Sequence, residues 1–186
     1  MGAKRLRKQY EKPRRLWDKQ RIESESKLRE EYGLKNAKEL WKMQTLLRKI
    51  RREARRLLSA RGKDVERRKE QLIKRMKGFL IRKETPTLDD VLSLTVRDVL
   101  DRRLQTIAHK KHFAKTIKQS RQFISHGHLT VKGKRISSPS YLVKYVEEDE
   151  INWHGHKINV EPVPKPEDEP LTPDISDVKQ LEKTAA

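Results

Sequence analysis

Apolar positions recur at helical spacing through the first half of the chain. In AKELWKMQTLLRKIRREARRLL, which starts at Ala37, they fall at Leu40, Met43, Leu47, Ile50, Ala54 and Leu57. Steps of three and four residues mark a helix with one buried stripe. Asn36 followed by Glu39 has the form of a capping box at its start. Upstream, LWDKQRIESESKLREEY over residues 16–32 predicts a helix that Gly33 stops. Downstream, Asp64 is placed to cap a third helix through about Lys77, ended by Gly78. Val65, Leu72, Met76 and Phe79 would pack that helix on the second, with Trp17 and Trp41 as core anchors. Residues 81–87, with Pro86, read as a linker and put a domain boundary near residue 86.

After the linker three capping signals follow: Thr87 with Asp90, Thr95 with Asp98, and Thr116 with Gln119. The first opens a short turn of helix. The second opens VRDVLDRRLQTIAHK, one helix with Val96, Val99, Leu100, Leu104, Ile107 and Ala108 on a single face. The third opens IKQSRQFIS, with Ile117, Phe123 and Ile124 inward, and Gly127 stands where a helix exits through the left-handed region. HLTVKGKRIS then alternates as two short strands around Lys132-Gly133, with Leu129 and Val131 inward and Thr130 and Lys132 outward. One or two more strands are expected among Tyr141, Val143, Tyr145 and Ile151, with Trp153 closing the small sheet. The order helix–helix–hairpin–strand makes the chain α+β. It divides into a basic extended arm (1–15), an all-helical domain (16–86), a compact module (95–160) and a tail (161–186). Five prolines in the tail prevent regular structure, so we expect it to be disordered.

Charge changes this picture most. The net charge is +19, with 39% of residues charged and only 33% hydrophobic. A single large core is not expected, because so little apolar surface does not offset the entropy of ordering all 186 residues. Residues 1–86 carry 30 basic and 12 acidic side chains, residues 87–146 carry 12 and 4, and residues 147–186 carry 4 and 11. Such an excess predicts a polyanionic partner, nucleic acid ahead of an anionic membrane, with the acidic tail repelled from that surface. Arg48, Arg51, Arg52, Arg55 and Arg56 fill the polar faces of the second helix, and Glu53 is the only acid between residues 40 and 63. We read this as a phosphate-facing helix. There is no cysteine, which excludes disulfides, thiolate zinc and a thiol nucleophile. No apolar run reaches the ~18 residues of a membrane span, so a soluble intracellular protein is expected.

His126-Gly127-His128 raises the question of a metal. Zinc takes about four ligands, and His109, His112, His154 and His156 lie in other elements, so no metal and no cofactor are expected. Catalysis fits poorly too, because neither a Gly-rich phosphate loop nor a nucleophile pair is present, and the adjacent Asp89 and Asp90 are explained by capping and solvation. The expectation is a protein that is not an enzyme.

TIKQSRQFISHGHLTVKGKRI followed by SPSY resembles the S-four RNA-binding module, named after small-subunit ribosomal protein four. LDRRLQT at 100–106 resembles the version found in archaeal and eukaryotic ribosomes, and the N-terminal helices resemble the same ribosomal family, over residues 1–160 in all. Lys132-Gly133 replaces the Asn-Gly common at the bacterial hairpin turn, Thr95 and Arg97 stand where Arg and Asp are common, and the zinc-binding cysteines of some bacterial relatives are absent. The resemblance implies two helices packed on a short bent antiparallel sheet. It also implies a non-catalytic primary binder of small-subunit ribosomal RNA. Such a binder nucleates assembly of the subunit body, adjoins other small-subunit proteins and influences decoding accuracy. The rivals are a stand-alone module acting in ribosome rescue or RNA modification, and an enzyme carrying the module, which would need a catalytic domain that residues 1–86 do not supply.

Folded RNA is gripped by its backbone and shape, since the major groove of an A-form helix is too narrow to read. By resemblance the second helix and hairpin of the module form the RNA face. They bring Lys118, Gln119, Arg121, Gln122, Ser125 and His126 from the helix and His128, Lys132, Lys134 and Arg135 from the hairpin. Arg102 and Arg103 on the first helix and Lys110, Lys111 and Lys115 after it are added, although Arg102 has an alternative partner in Asp98. Tyr141 is a candidate for stacking on a base or ribose; the alternative is a half-buried ring with a bonded hydroxyl.

Overall fold

The computed structural model of the protein describes residues 9–155. Residues 1–8 of the arm, residues 156–160 of the expected module and the tail (161–186), with the expectations placed on them, lie outside that range.

The apolar stripe read from the sequence builds the centre of the N-terminal lobe. Helix α2 (Ala37–Ser59) buries Leu40, Met43, Leu47, Ile50, Ala54 and Leu57. It packs against α1 (Lys19–Glu31), α3 (Lys63–Lys77), α4 (Leu88–Ser93) and α5 (Val96–Asp101). Leu72 and Met76 of α3 are almost fully buried there, and Val65 and Phe79 pack at the edge. Fully burying each large aliphatic side chain contributes about 1.5–3 kcal/mol, so this helix directs the lobe's assembly.

Several local expectations are corrected. Helix α1 begins at Lys19 rather than Leu16, because Asp18 caps it by accepting the Arg21 N–H (3.4 Å). Trp17 therefore precedes the helix and stands 92% exposed, not in the core. Trp41 is half-buried, and its indole N–H donates to Glu25 (3.2 Å). Asn36 occupies the cap position of α2 but its side chain makes no capping bond, and the Glu39 carboxylate that would complete the box is engaged by Arg103 and Arg121. Gly62, not Asp64, precedes α3, and Asp64 lies in its first turn. Residues 9–15 of the arm lie against α2: the Glu11 N–H donates to Thr45 Oγ1 (3.1 Å), and Glu11 pairs with Arg48.

Thr87–Asp90 and Thr95–Asp98 form complete capping boxes. The elements they open belong to the first core, which includes Leu88, Val91, Leu94, Val99 and Leu100. The apolar cluster thus continues past residue 86 and hands over to a second cluster between Leu100 and Leu104. At that point the expected single helix breaks into α5 and α6 (Leu104–Lys110). Arg103 bridges to Leu142, the Leu104 N–H donates to the Tyr141 carbonyl (2.8 Å), and the Val143 N–H donates to the Arg102 carbonyl (2.9 Å). These long-range bonds replace helical ones and let the chain turn.

The second core joins Leu104, Ile107 and Ala108 of α6 to Ile124 of α7 (Ile117–His126) and to a three-stranded antiparallel sheet. Thr116 caps α7 by accepting the Gln119 N–H (3.2 Å). Strands β1 (Leu129–Val131), β2 (Lys134–Arg135) and β3 (Ile151–Trp153) lie in the order β2-β1-β3. β1 is central, so Thr130 is buried rather than outward, with its hydroxyl donating to the Asn152 carbonyl (3.1 Å). Lys132 (φ 52°) and Gly133 (φ 71°) form the two-residue hairpin turn, both left-handed, which matches the twist of the strands. Tyr145 is not in a strand but opens a short helix, α8 (Tyr145–Glu148), and Leu142 contributes only an isolated bridge. Trp153 does close the sheet, edge-on to Phe113 and Phe123 with centroids 5.4 and 5.6 Å away.

Candidate nucleic-acid interface

The sequence-derived cations separate into an outer set and an inner set. On α7, Lys118, Gln122 and Ser125 recur at steps of four and three, so they share one face, and all three are exposed. His126 ends that face, its ring 6.2 Å from that of His128 and nearly parallel to it (22°). Gly127 then turns the chain at φ 75°, ψ 33°. Arg135 of β2 crosses back over this turn and donates to the His126 carbonyl (2.7 Å), which joins the hairpin to the helix end. A Cβ on Gly127 would lie 2.0 Å from Arg135 Nε, so a bare glycine is what lets the guanidinium sit there. Lys132, Lys134 and Arg135 are exposed along the hairpin, with Lys132 Nζ 3.6 Å from Glu147. Lys115 is exposed before α7, and Lys110 is exposed beside Asp101 (2.9 Å). In α2, Arg52, Arg55 and Arg56 face outward, while Arg48 meets Glu11 and Arg51 donates to the Leu94 carbonyl.

The inner set does a different job. Arg103 is 1% exposed at its side chain and donates to Glu39 (2.9 Å) and to Ser140 (3.1 Å). Arg121 forks onto the same Glu39 carboxylate at 2.7 and 3.1 Å. Burial pushes the Glu39 carboxyl up, but the bonds from Arg121 and Arg103 outweigh it and hold the group below the usual glutamate value. Arg102 is buried too: it pairs with Glu148 (2.7 Å), donates to the Val143 carbonyl (3.0 Å) and lies 4.0 Å from the centre of the Tyr145 ring. Its partner is not Asp98, which is spent on the Thr95 cap. The structure therefore withdraws Arg102 and Arg103 from the candidate surface and makes them ties between elements. Lys111 is tied to the end of α8 through the Glu148 carbonyl and Asp149. Gln119 accepts the Lys115 N–H (2.8 Å). The Tyr141 hydroxyl donates to Glu147 (2.9 Å), and burial, then Glu147, raises its pKa, so the bonded reading of this ring holds here rather than a free stacking face.

Two cationic hollows were not legible in the sequence. One, of about 350 Å³, lies between the lobes and is lined by Arg29, Lys35, Lys118 and Arg121 with Gly33 and Glu30 among its walls. The other, of about 430 Å³, runs between α2 and α3 and places Arg68 and Arg75 beside Arg56, with Glu53 in its wall paired to Arg75 (2.8 Å). The arginine density of α3 was the available signal, but which face it lined depended on packing. Among the described residues no group of three or more His, Asp or Glu side chains comes together to hold a metal, and no helix is long and apolar enough to cross a membrane.

A cationic helical lobe locked to a helix–helix–hairpin module defines an S4-domain protein, and a family model described as the S4 domain matches residues 102–151. Its start coincides with the break between α5 and α6. The chain is 50% identical over 151 residues to "Small ribosomal subunit protein uS4" of Methanococcus maripaludis, covering 81% of this chain and 85% of that one. It is 49% identical over 151 residues to the protein of the same description from Nanoarchaeum equitans (80% and 84%), and 44% identical over 151 residues to that of Methanothermobacter thermautotrophicus (81% and 88%). The chain belongs to the uS4 family of small ribosomal subunit proteins.

Proposed function

We propose that this protein is a structural, non-catalytic constituent of the small ribosomal subunit that binds its ribosomal RNA by backbone and shape, in the cytoplasm. The observation that carries the reading is the continuity of Lys118, Gln122, Ser125 and His126 with Lys132, Lys134 and Arg135 through the Arg135–His126 bond. We place the RNA face on that arc, and a second cationic surface on α2 enlarges the footprint. Arginine and lysine displace the counterions condensed on RNA, and arginine forks onto phosphate oxygens. With the lobes joined through Glu39, the protein holds two RNA segments at a fixed spacing, as a primary binder that nucleates the subunit body must. Neighbouring small-subunit proteins are its other partners, and its contribution to decoding accuracy would pass through them.

Hydroxyl-radical footprinting on small-subunit ribosomal RNA tests this directly. The expected outcome is protection of discrete backbone segments, with affinity falling by about 0.7–0.9 log units per tenfold rise in salt for each phosphate neutralised. Equal affinity for large-subunit RNA, or a slope near zero, would overturn the reading.

A further inference from the structure

Trp17 is a large aromatic side chain that the fold holds in water. It is 92% exposed, and its neighbours Leu16 and Ile22 are 53% and 42% exposed. Its backbone is nonetheless fixed. Arg21 reaches back from the first turn of α1 and donates to the carbonyls of Arg15 (3.2 Å) and Leu16 (3.0 Å). Arg21 is itself held by Glu25 at 2.8 Å, and the buried Glu25 accepts the Trp41 indole N–H at 3.2 Å. Charge-assisted bonds thus run from the core out to the turn that presents Trp17. Arg14, Arg15 and Lys19 are exposed around it; Asp18 is engaged as the helix cap, and Glu23, one turn on, lies 3.9 Å from Lys19. The N-terminal end of this 13-residue helix adds further positive potential.

An indole with a flat open face, ringed by cations, matches the chemistry of a nucleotide: an aromatic base to stack and a phosphate to neutralise. An apolar protein partner would fit Leu16 and Ile22 equally well but would have to take those cations out of water. We propose that Trp17 is a stacking platform for an unpaired nucleotide of the ribosomal RNA, an inference that rests on the RNA-binding reading above and assigns a contact outside the S4 domain.

The test compares the full chain with Trp17→Ala and Trp17→Phe in binding to small-subunit ribosomal RNA across a salt series. Trp17→Ala is expected to weaken binding about 5- to 100-fold, the range for losing one stacked base, and Trp17→Phe to keep most of the affinity. The slope of log K against log salt stays unchanged in both, because no phosphate contact is lost. The urea midpoint also stays unchanged, since the side chain is 92% exposed. Trp17→Ala binding as tightly as wild type overturns the proposal. So does a variant that binds RNA normally but fails to enter subunits reconstituted with the other proteins, which would assign the indole to a protein partner. Failure of the wild-type chain to prefer small-subunit RNA is a distinct result: it removes the RNA-binding reading itself, and this inference with it.

Discussion

In the helical lobe, Arg52, Arg55 and Arg56 stand exposed along α2, whereas at the mouth of the S4 domain Arg102 and Arg103 are buried and Arg121 is turned onto Glu39. The same side chain thus does opposite work in two regions. Outside, it is an unbalanced cation for a polyanion. Inside, its planar fork satisfies carboxylates and carbonyls across the joint, a geometry that lysine's single ammonium does not offer. The two apolar clusters also meet at the joint without merging: Leu100 belongs to the first and Leu104 to the second, and Leu142 packs on the first while its neighbour Val143 is buried in the second. Polar ties supply what the cores do not: Glu39 to Arg103 and Arg121, Gln105 to the carbonyls of Gly33 (3.1 Å) and Ile117 (3.0 Å), and Tyr145 N–H to the Gly78 carbonyl (2.9 Å).

The sharpest way to break this contrast is Glu39→Ala. It leaves Arg103 buried without its carboxylate, and removing one partner of a buried pair costs about 3–5 kcal/mol. A urea midpoint shift equivalent to less than about 1 kcal/mol would mean that the joint is not held through Glu39. Charge reversal on the outer sets should instead spare stability and strike binding. Lys118→Glu with Lys134→Glu, and separately Arg52→Glu with Arg56→Glu, should each weaken affinity for small-subunit ribosomal RNA about 10- to 100-fold, or about 1.4–2.7 kcal/mol. Each pair should also flatten the salt slope by about 1.4–1.8. An effect from one pair alone would confine RNA binding to that lobe.

Two helix-ending glycines, one from each lobe, make a smaller contrast. Gly127 is left-handed (φ 75°), so Gly127→Ala should cost about 1–2 kcal/mol by thermal melting. Gly78 has ordinary helical angles (φ −64°), so Gly78→Ala should stay within about 1 kcal/mol of wild type. The smallest expected effect is on acid sensitivity. A hydrogen bond from Lys83 holds Asp90 at about 2, against an ordinary 3.8. A carboxyl with a lowered folded pKa stabilises above its unfolded value and loses that contribution as pH falls through the folded one. Asp90→Asn should therefore lower the melting temperature slightly at pH 5 and converge with wild type toward pH 2, while the Glu39 contribution begins to fall only as pH drops below its ordinary 4.5. Parallel melting curves across that range would show that Asp90 carries none of it.

Short-range chemistry made much of this molecule legible. The stripe of α2 emerged residue for residue, the Thr87, Thr95 and Thr116 caps sit where their spacing put them, and Gly127 and Lys132-Gly133 form the expected exit and turn. Each depends on residues within a few positions of one another, so a sequence window contains the whole cause. Sequence by itself also determined the sign and uneven spread of charge, and with them the polyanionic partner. The direction each arginine faces was decided only by the tertiary structure. Glu39 lies 64 residues from Arg103 and 82 from Arg121, so nothing local distinguished those two guanidiniums from Arg52 or Arg56. Glu39 passed for a capping residue, Trp17 for a core anchor and residues 96–110 for one helix, because each assignment was settled by a contact from a distant element. A charge is written in the sequence, but its burial is a property of whatever packs opposite it, and only the folded chain brings that partner near.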